Sequence, residues 1–171
     1  MNSSGYKVIT TCSPRNFDYV KSLGADAAFD YKDPDCARKI VEYVGHKLDR
    51  IWDCSGDQSA VAICSEVIKE NGSFGSIGRV KLPMDGVTNL WSLGYNVIGE
   101  PVVKPFFKQE DTKEDFEFTK KFTLIVEKLL QEGKLKPQRL RVSNEGLDGV
   151  LDGLELLKNG KVSGEKLVYT L

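Results

Sequence analysis

Histidine is nearly missing from this chain: His46 is the one imidazole among 171 residues. The four cysteines, Cys12, Cys36, Cys54 and Cys64, are scattered and form no C-x-x-C pair. That set argues against a zinc ribbon and against a disulfide framework. An excess of either charge is also missing. Lys and Arg total 24 and Asp and Glu 25, a formal net charge of -1. Nothing electrostatic therefore points to a nucleic acid or an anionic membrane as partner. No apolar run approaches the roughly 20 residues a spanning helix needs, and the opening MNSSGYKVITT has no secretory pattern. The cytosol is the expected compartment.

What remains is the composition of an ordinary globular protein, 40% hydrophobic and 29% charged. Its length suits one buried core. The first half repeats a short apolar run, a turn signal and a helical stretch. Strands are expected at 7–12 (KVITTC), 27–31, 48–54 (LDRIWDC) and 73–78 (SFGSIG). Between them, Phe17, Val20 and Leu23 give one helix its apolar stripe, closed by Gly24. Ile40, Val41 and Val44 do the same for a helix capped by Asp35 and ended by Gly45. Val61, Cys64 and Ile68 mark a third, over 59–70, stopped by Asn71-Gly72. Strands alternating with helices at this rhythm make parallel βαβ units with right-handed crossovers.

The second half changes character. Residues 84–95 read as irregular, 96–98 as a strand, and 99–111 as a loop carrying two prolines. A strong helical period follows over 114–131, with Phe116, Phe122, Ile125, Val126, Leu129 and Leu130 on one side and Gly133 at its end. A short strand at 140–142, a helix over 145–158 and a final strand at 166–170 complete the chain. The reading is one α/β domain over 1–171, of which 139–171 is a C-terminal extension.

The corner 10-TTCSPRN-16 carries the sharpest chemical question. In a dinucleotide-binding sheet the ligand lies across the carboxyl ends of the strands, and the residue after the second strand meets the adenosine ribose. An acid there suits the free 2′-hydroxyl of NAD; hydroxyl and guanidinium groups suit the 2′-phosphate of NADP. Ser13, Pro14, Arg15 and Asn16 occupy that corner if KVITTC is the second strand. Ser13-Pro14 is equally a good helix start with a solvated arginine behind it, and from these residues alone that plain explanation is the commoner one.

TTCSPRNFDYVKSLGADAAFDY, RIWDCSG and the closing NGKVSGEKLVYTL together resemble the nucleotide-binding half of a medium-chain dehydrogenase/reductase. Specifically, they are similar to the zinc-independent trans-acting enoyl reductases of fungal polyketide synthases. The resemblance implies a Rossmann-like parallel sheet with flanking helices, an NADP cofactor and an enoyl thioester substrate. It favours the 2′-phosphate role for Ser13, Pro14, Arg15 and Asn16. It also implies that Tyr31 lies at the adenosine end, and that Ile77-Gly78 meets the cofactor near its nicotinamide side. Val162-Ser163 would be a late cofactor contact from the returning chain. Gly99, Glu100, Pro101, Val102 and Val103 would line the acyl pocket. A carrier-bound acyl chain and a polyketide synthase are the implied partners. Without the resemblance, each of these segments reads as a turn, a proline loop or a strand end. A quinone-oxidoreductase-like or alcohol-dehydrogenase-like half, or an inactive nucleotide-binding module, stays open.

Some candidates carry no chemistry. Cys54 sits beside Asp53 with no base, and the acid raises rather than lowers a thiol pKa. His46 follows a helix-ending glycine and should be solvated. The charges over 110–121 suit the wet face of a helix. No catalytic acid and no metal ligand set is assigned.

Relative to that family, the strand and glycine-rich turn that cradle a pyrophosphate should come before KVITTC, where only MNSSGY stands. The N-terminal catalytic domain is likewise expected to lie outside this sequence. In the usual 3-2-1-4-5-6 order, removing the first strand leaves KVITTC with an unpaired inner edge. Each buried unsatisfied backbone group costs about 1–3 kcal/mol, against a total stability of about 5–15 kcal/mol. Three outcomes are expected: KVITTC pairs directly with LDRIWDC, a second chain fills the gap, or the isolated chain is unstable.

Overall fold

The structure is a computed structural model that describes residues 5–91, 94–104, 107–109 and 113–171. β1 (Ile9–Thr11) leads into a 3-10 turn at Pro14–Asn16 and then α1 (Phe17–Ser22). β2 (Ala27–Phe29), α2 (Cys36–Val44), β3 (Leu48–Asp53), α3 (Gln58–Val67) and β4 (Ile68–Ser76) continue the alternation, with β5 (Thr88–Trp91) after a loop. β1 pairs parallel with β2, matching Ile9 to Ala27. β3, β4 and β5 form a second parallel sheet in that spatial order.

The α2 segment shows how local sequence makes an element. Cys36, Ala37 and Ile40 fall on one face at helical spacing and are buried. Gly45 then adopts φ +83°, and its N–H donates to the Val41 carbonyl, closing the last turn as glycine readily does. Asp35 precedes the helix without capping it through its side chain. Its carboxylate instead faces Arg38 at 3.3 Å.

The β1–β2 and β3–β4–β5 sheets share one core. Cys36, Ala37, Ile40 and Val67 form a buried cluster, against which Ile9 of β1, Phe29 of β2 and Leu48 and Ile51 of β3 all pack. A second cluster, Val61, Ile68, Phe74 and Leu82, lies beneath α3 and β4. Yet β1 does not pair with β3. Of the three expected outcomes, direct pairing of KVITTC with LDRIWDC is the one this arrangement does not show. β1 and β3 are thus held in one core without a shared ladder. Across the interval between them the Arg50 guanidinium donates to the Tyr6 hydroxyl at 2.6 Å.

Several other boundaries differ from the sequence reading. The third helix ends at Val67, not residue 70, because Ile68 is drawn into register with Leu48. Asn71, at φ +61°, and Gly72 make the irregularity that returns β4 to pairing at Ser73. The 84–95 stretch contains β5. Residues 96–98 are not a strand but the end of a 3-10 turn, Gly94–Ile98. Within 99–111, β6 (Val102–Lys104) and β7 (Phe107–Gln109) form an antiparallel hairpin where a loop was expected, while 99–101 stay irregular. Residues 105, 106, 110 and 111 lie outside those described.

The C-terminal elements are α4 (Lys113–Gln131), β8 (Arg139–Ser143), α5 (Asp148–Lys158) and β9 (Glu165–Tyr169). β8 and β9 pair parallel, Arg139 opposite Glu165. Gly149 and Gly153 of α5 are buried against Tyr169; a Cβ at either would run into its ring or hydroxyl. The apolar side of α4 is only partly covered. Phe116, Val126 and Leu129 are half-buried, while Phe122, Ile125 and Leu130 stand exposed.

Candidate functional site

Ser13 leaves β1 in an extended conformation, and Pro14 opens the 3-10 turn. The Ser13 hydroxyl does not cap that turn. It approaches the Tyr31 hydroxyl instead, 3.4 Å away, just past the end of β2. Two residues singled out at neighbouring strand ends are thus brought together. The Tyr31 ring is about half exposed, with the Lys32 ammonium 6.0 Å from its centroid. Arg15, two residues on from Ser13, is exposed.

Asn16 joins this corner to the far end of the chain: its amide donates to the Ser163 hydroxyl at 3.0 Å. Ser163 and Val162 are half-buried in the turn before β9. A parallel tie runs close by. The Arg139 backbone N–H donates to the Tyr19 hydroxyl at 3.1 Å, and its guanidinium lies 3.8 Å over the Tyr19 ring. Ser13, Tyr31, Asn16 and Ser163 therefore form one polar surface at the carboxyl ends of β1 and β2, where parallel sheets hold ligands.

Next along the same rim stand the ends of β3 and β4. Asp53 closes β3, is buried at 6% exposure, and lies in register with the fully buried Ser76. Its carboxylate accepts four hydrogen bonds. Oδ1 takes the Ser55 N–H at 2.8 Å and the Ser55 hydroxyl at 2.6 Å. Oδ2 takes the Gly56 N–H at 3.1 Å and the Ser76 hydroxyl at 2.9 Å. Burial by itself would raise this carboxyl, but the bonds from Ser55, Ser76 and Gly56 outweigh it and hold it below its ordinary range.

Ile77 and Gly78 leave β4 directly from this cluster. The Ile77 N–H donates to the Asp53 carbonyl at 3.2 Å, and the Gly78 N–H to the Ser76 hydroxyl at 3.1 Å. The Ile77 side chain is half exposed. Gly78 has no room for a side chain, since a Cβ there would stand 2.6 Å from the Gly56 Cα. Its close approach is to another loop of the same chain. Sequence reasoning set Asp53 aside with Cys54 and missed Ser55, Gly56 and Ser76. An acid ending a strand and followed by Ser and Gly was the available signal.

The Cys54 thiol is pushed up, by loss of water around it first and then by the Asp53 charge. Cys64 is pushed up to about 11, by burial and then by Asp53. His46 is exposed and its Nδ1 meets the Lys47 carbonyl at 2.7 Å.

The 99–103 segment is not joined to the Ser13 corner by any hydrogen bond among the described residues. Gly99, at φ +71°, packs on Phe116 of α4 so closely that a Cβ would lie 2.8 Å from the ring. Glu100 and Pro101 are exposed, Val102 is buried in the hairpin, and Val103 is 71% exposed.

Parallel strands flanked by helices, with polar loops at their carboxyl ends, are the fold of the nucleotide-binding domain of the medium-chain dehydrogenases and reductases. The chain belongs to the family described as zinc-binding dehydrogenase, which matches residues 2–120. It is 39% identical over 97% of its length to the trans-enoyl reductase apdC of Emericella nidulans, covering 51% of that protein. It is 37% identical over 98% of its length to the trans-enoyl reductase ACTTS2 of Alternaria alternata, covering 49%. The chain thus spans about half the length of the curated relatives it matches. The fold is that of a Pseudomonas syringae quinone oxidoreductase crystal structure, with a TM-score of 0.71 at 19% identity, over 98% of this chain and 50% of that one.

The family's zinc finds no fitting donors here. Among the described residues no three of His, Cys, Asp and Glu gather as a metal site. No helix among them is long and apolar enough to cross a membrane.

Proposed function

We propose that this chain is the nucleotide-binding half of an NADPH-dependent enoyl reductase, acting on α,β-unsaturated acyl thioesters of polyketide assembly. The 39% identity to a trans-enoyl reductase across nearly the whole chain carries this reading. The hydroxyl-lined corner of Ser13 and Tyr31 beside the exposed Arg15 supports it, because it offers a phosphate one cation and two hydroxyls.

In this reading Ser13, Pro14, Arg15, Asn16 and Tyr31 hold the adenosine end, with Arg15 facing the 2′-phosphate. Ile77 and Gly78 offer backbone polar groups toward the nicotinamide side, and Val162-Ser163 closes over the cofactor from the returning chain. Residues 139–171 form the extension that leads back toward the rest of the enzyme, and 99–103 line the acyl pocket. NADPH held there would provide the hydride for the β-carbon of the enoyl thioester, with a proton at the α-carbon completing the reduction. This chain's part is to bind and orient. The substrate is carried by an acyl carrier of a polyketide synthase in the cytosol.

Joining this sequence to the remaining half found in its relatives, and offering crotonyl-pantetheine or a quinone with NADPH, tests the assignment. NADPH oxidation with the enoyl thioester and not with the quinone is expected. Quinone turnover alone would overturn it.

A further inference from the structure

Two loops leave the adjacent ends of β3 and β4, and one carboxylate holds both. Asp53 binds the first loop through the Ser55 and Gly56 N–H groups and the Ser55 hydroxyl. It binds the second through Ser76, whose hydroxyl donates to Oδ2 and accepts the Gly78 N–H. The backbone seals the pair: Ile77 N–H meets the Asp53 carbonyl, and Gly78 lies against the Gly56 backbone with no space between them. The first loop then feeds α3. The Ser55 hydroxyl accepts the Asp57 N–H at 3.2 Å, and Asp57 caps the helix by accepting the Ser59 N–H at 2.9 Å. Asp53 is buried and pairs with no cation among the described residues; its four bonds come from neutral groups of these two loops or the strand end beneath them.

Such a group is costly to bury unless hydrogen bonds replace the water it loses, and four do so here. Four charge-assisted bonds converging on one carboxylate fix two backbone turns relative to each other more stiffly than neutral bonds would. Both turns lie at the carboxyl ends of neighbouring parallel strands, where an open α/β sheet holds its ligand.

We propose that Asp53 is a positioning residue for the cofactor: it aligns the 54–57 loop with the Ile77-Gly78 turn, so that their backbones present one preformed surface to the part of the dinucleotide beyond the adenosine. This rests on the reading of the rim as an NADPH site. It extends that reading to a residue that never touches the ligand. Ser76 is the relay, since it alone bridges the carboxylate and the Gly78 N–H.

The test compares NADPH with adenosine 2′,5′-diphosphate, which carries only the adenosine end. Both are titrated by calorimetry into the unaltered chain, Asp53→Asn and Ser76→Ala, with thermal melts alongside. Asp53→Asn should weaken NADPH at least tenfold and leave adenosine 2′,5′-diphosphate within twofold. Ser76→Ala should give the same one-sided loss at smaller size, and serves where Asp53→Asn fails to fold. A variant that loses stability but weakens both ligands equally, or neither, overturns the positioning role. Binding of neither ligand to the unaltered chain overturns the NADPH reading and this inference with it.

Discussion

Asn16 donates a hydrogen bond to Ser163 across 147 residues of sequence, with Nδ2 3.0 Å from Oγ. The bond ties the first helical turn after β1 to the turn before β9, and Gly164 at φ +66° allows the close approach beside it. A neutral, partly buried bond of this kind contributes about 1 kcal/mol. Asn16→Ala and Ser163→Ala should each lower the urea-unfolding free energy by about that much. The double variant should lose little more than either single one, because both remove the same contact. Strict additivity would show that the two side chains act independently.

Gly78→Ala tests the packing of the two strand-end loops. A Cβ there would meet the Gly56 Cα at 2.6 Å and its carbonyl oxygen at 2.7 Å, both backbone atoms. Overpacking against backbone costs about 1–3 kcal/mol. The variant should melt lower than the unaltered chain. Unchanged melting would mean that the loops separate freely.

The Asp53 carboxyl gives a pH dependence of defined sign. Its folded pKa lies below the unfolded value of about 3.9, so it favours folding above that pH. The stabilisation is lost as pH falls through the folded value. Unfolding free energies of the unaltered chain and Asp53→Asn should differ by about 2 kcal/mol near neutrality. The difference should shrink as pH drops below about 4. A gap that widens in acid would reverse the account.

The interval between β1 and β3 predicts a hydrogen-exchange pattern. Cys12 N–H donates to Phe29 and the Asp53 carbonyl accepts from Ile77, so alternation turns the Thr11 and Trp52 backbones toward the interval. In dilute solution those two amides should exchange as fast as loop amides, while the β3–β4 ladder stays protected. Strong protection of Thr11 and Trp52 in a dilute monomer would mean that the strands pair after all.

The βαβ half of the fold was legible because its signals are local. Apolar faces such as Cys36, Ala37 and Ile40, and stops such as Gly45, act within a few residues. What was missed depends on strand partners that no local pattern shows. β5 is four residues with no strong pattern, made a strand by lying against β4. The β6–β7 hairpin hid behind Pro101 and Pro105, which read as loop. The end of α3 moved because Leu48 captured Ile68. The site divides the same way. The Ser13–Asn16 corner, Tyr31 and Ser163 were singled out by resemblance, and the structure adds that they meet. The Asp53–Ser76 pair is a register contact between two strand ends, invisible until the strands are paired.

The central claim is that the Ser13–Arg15 corner reads a 2′-phosphate. Calorimetric titration of the chain with NADPH and NADH, repeated on Arg15→Ala, tests it most directly. A charge-assisted phosphate contact contributes about 1.5–3 kcal/mol, so NADPH should bind at least tenfold tighter than NADH. Arg15→Ala should remove most of that preference by weakening NADPH alone. Equal affinity for the two cofactors, or a preference that survives Arg15→Ala, would contradict it.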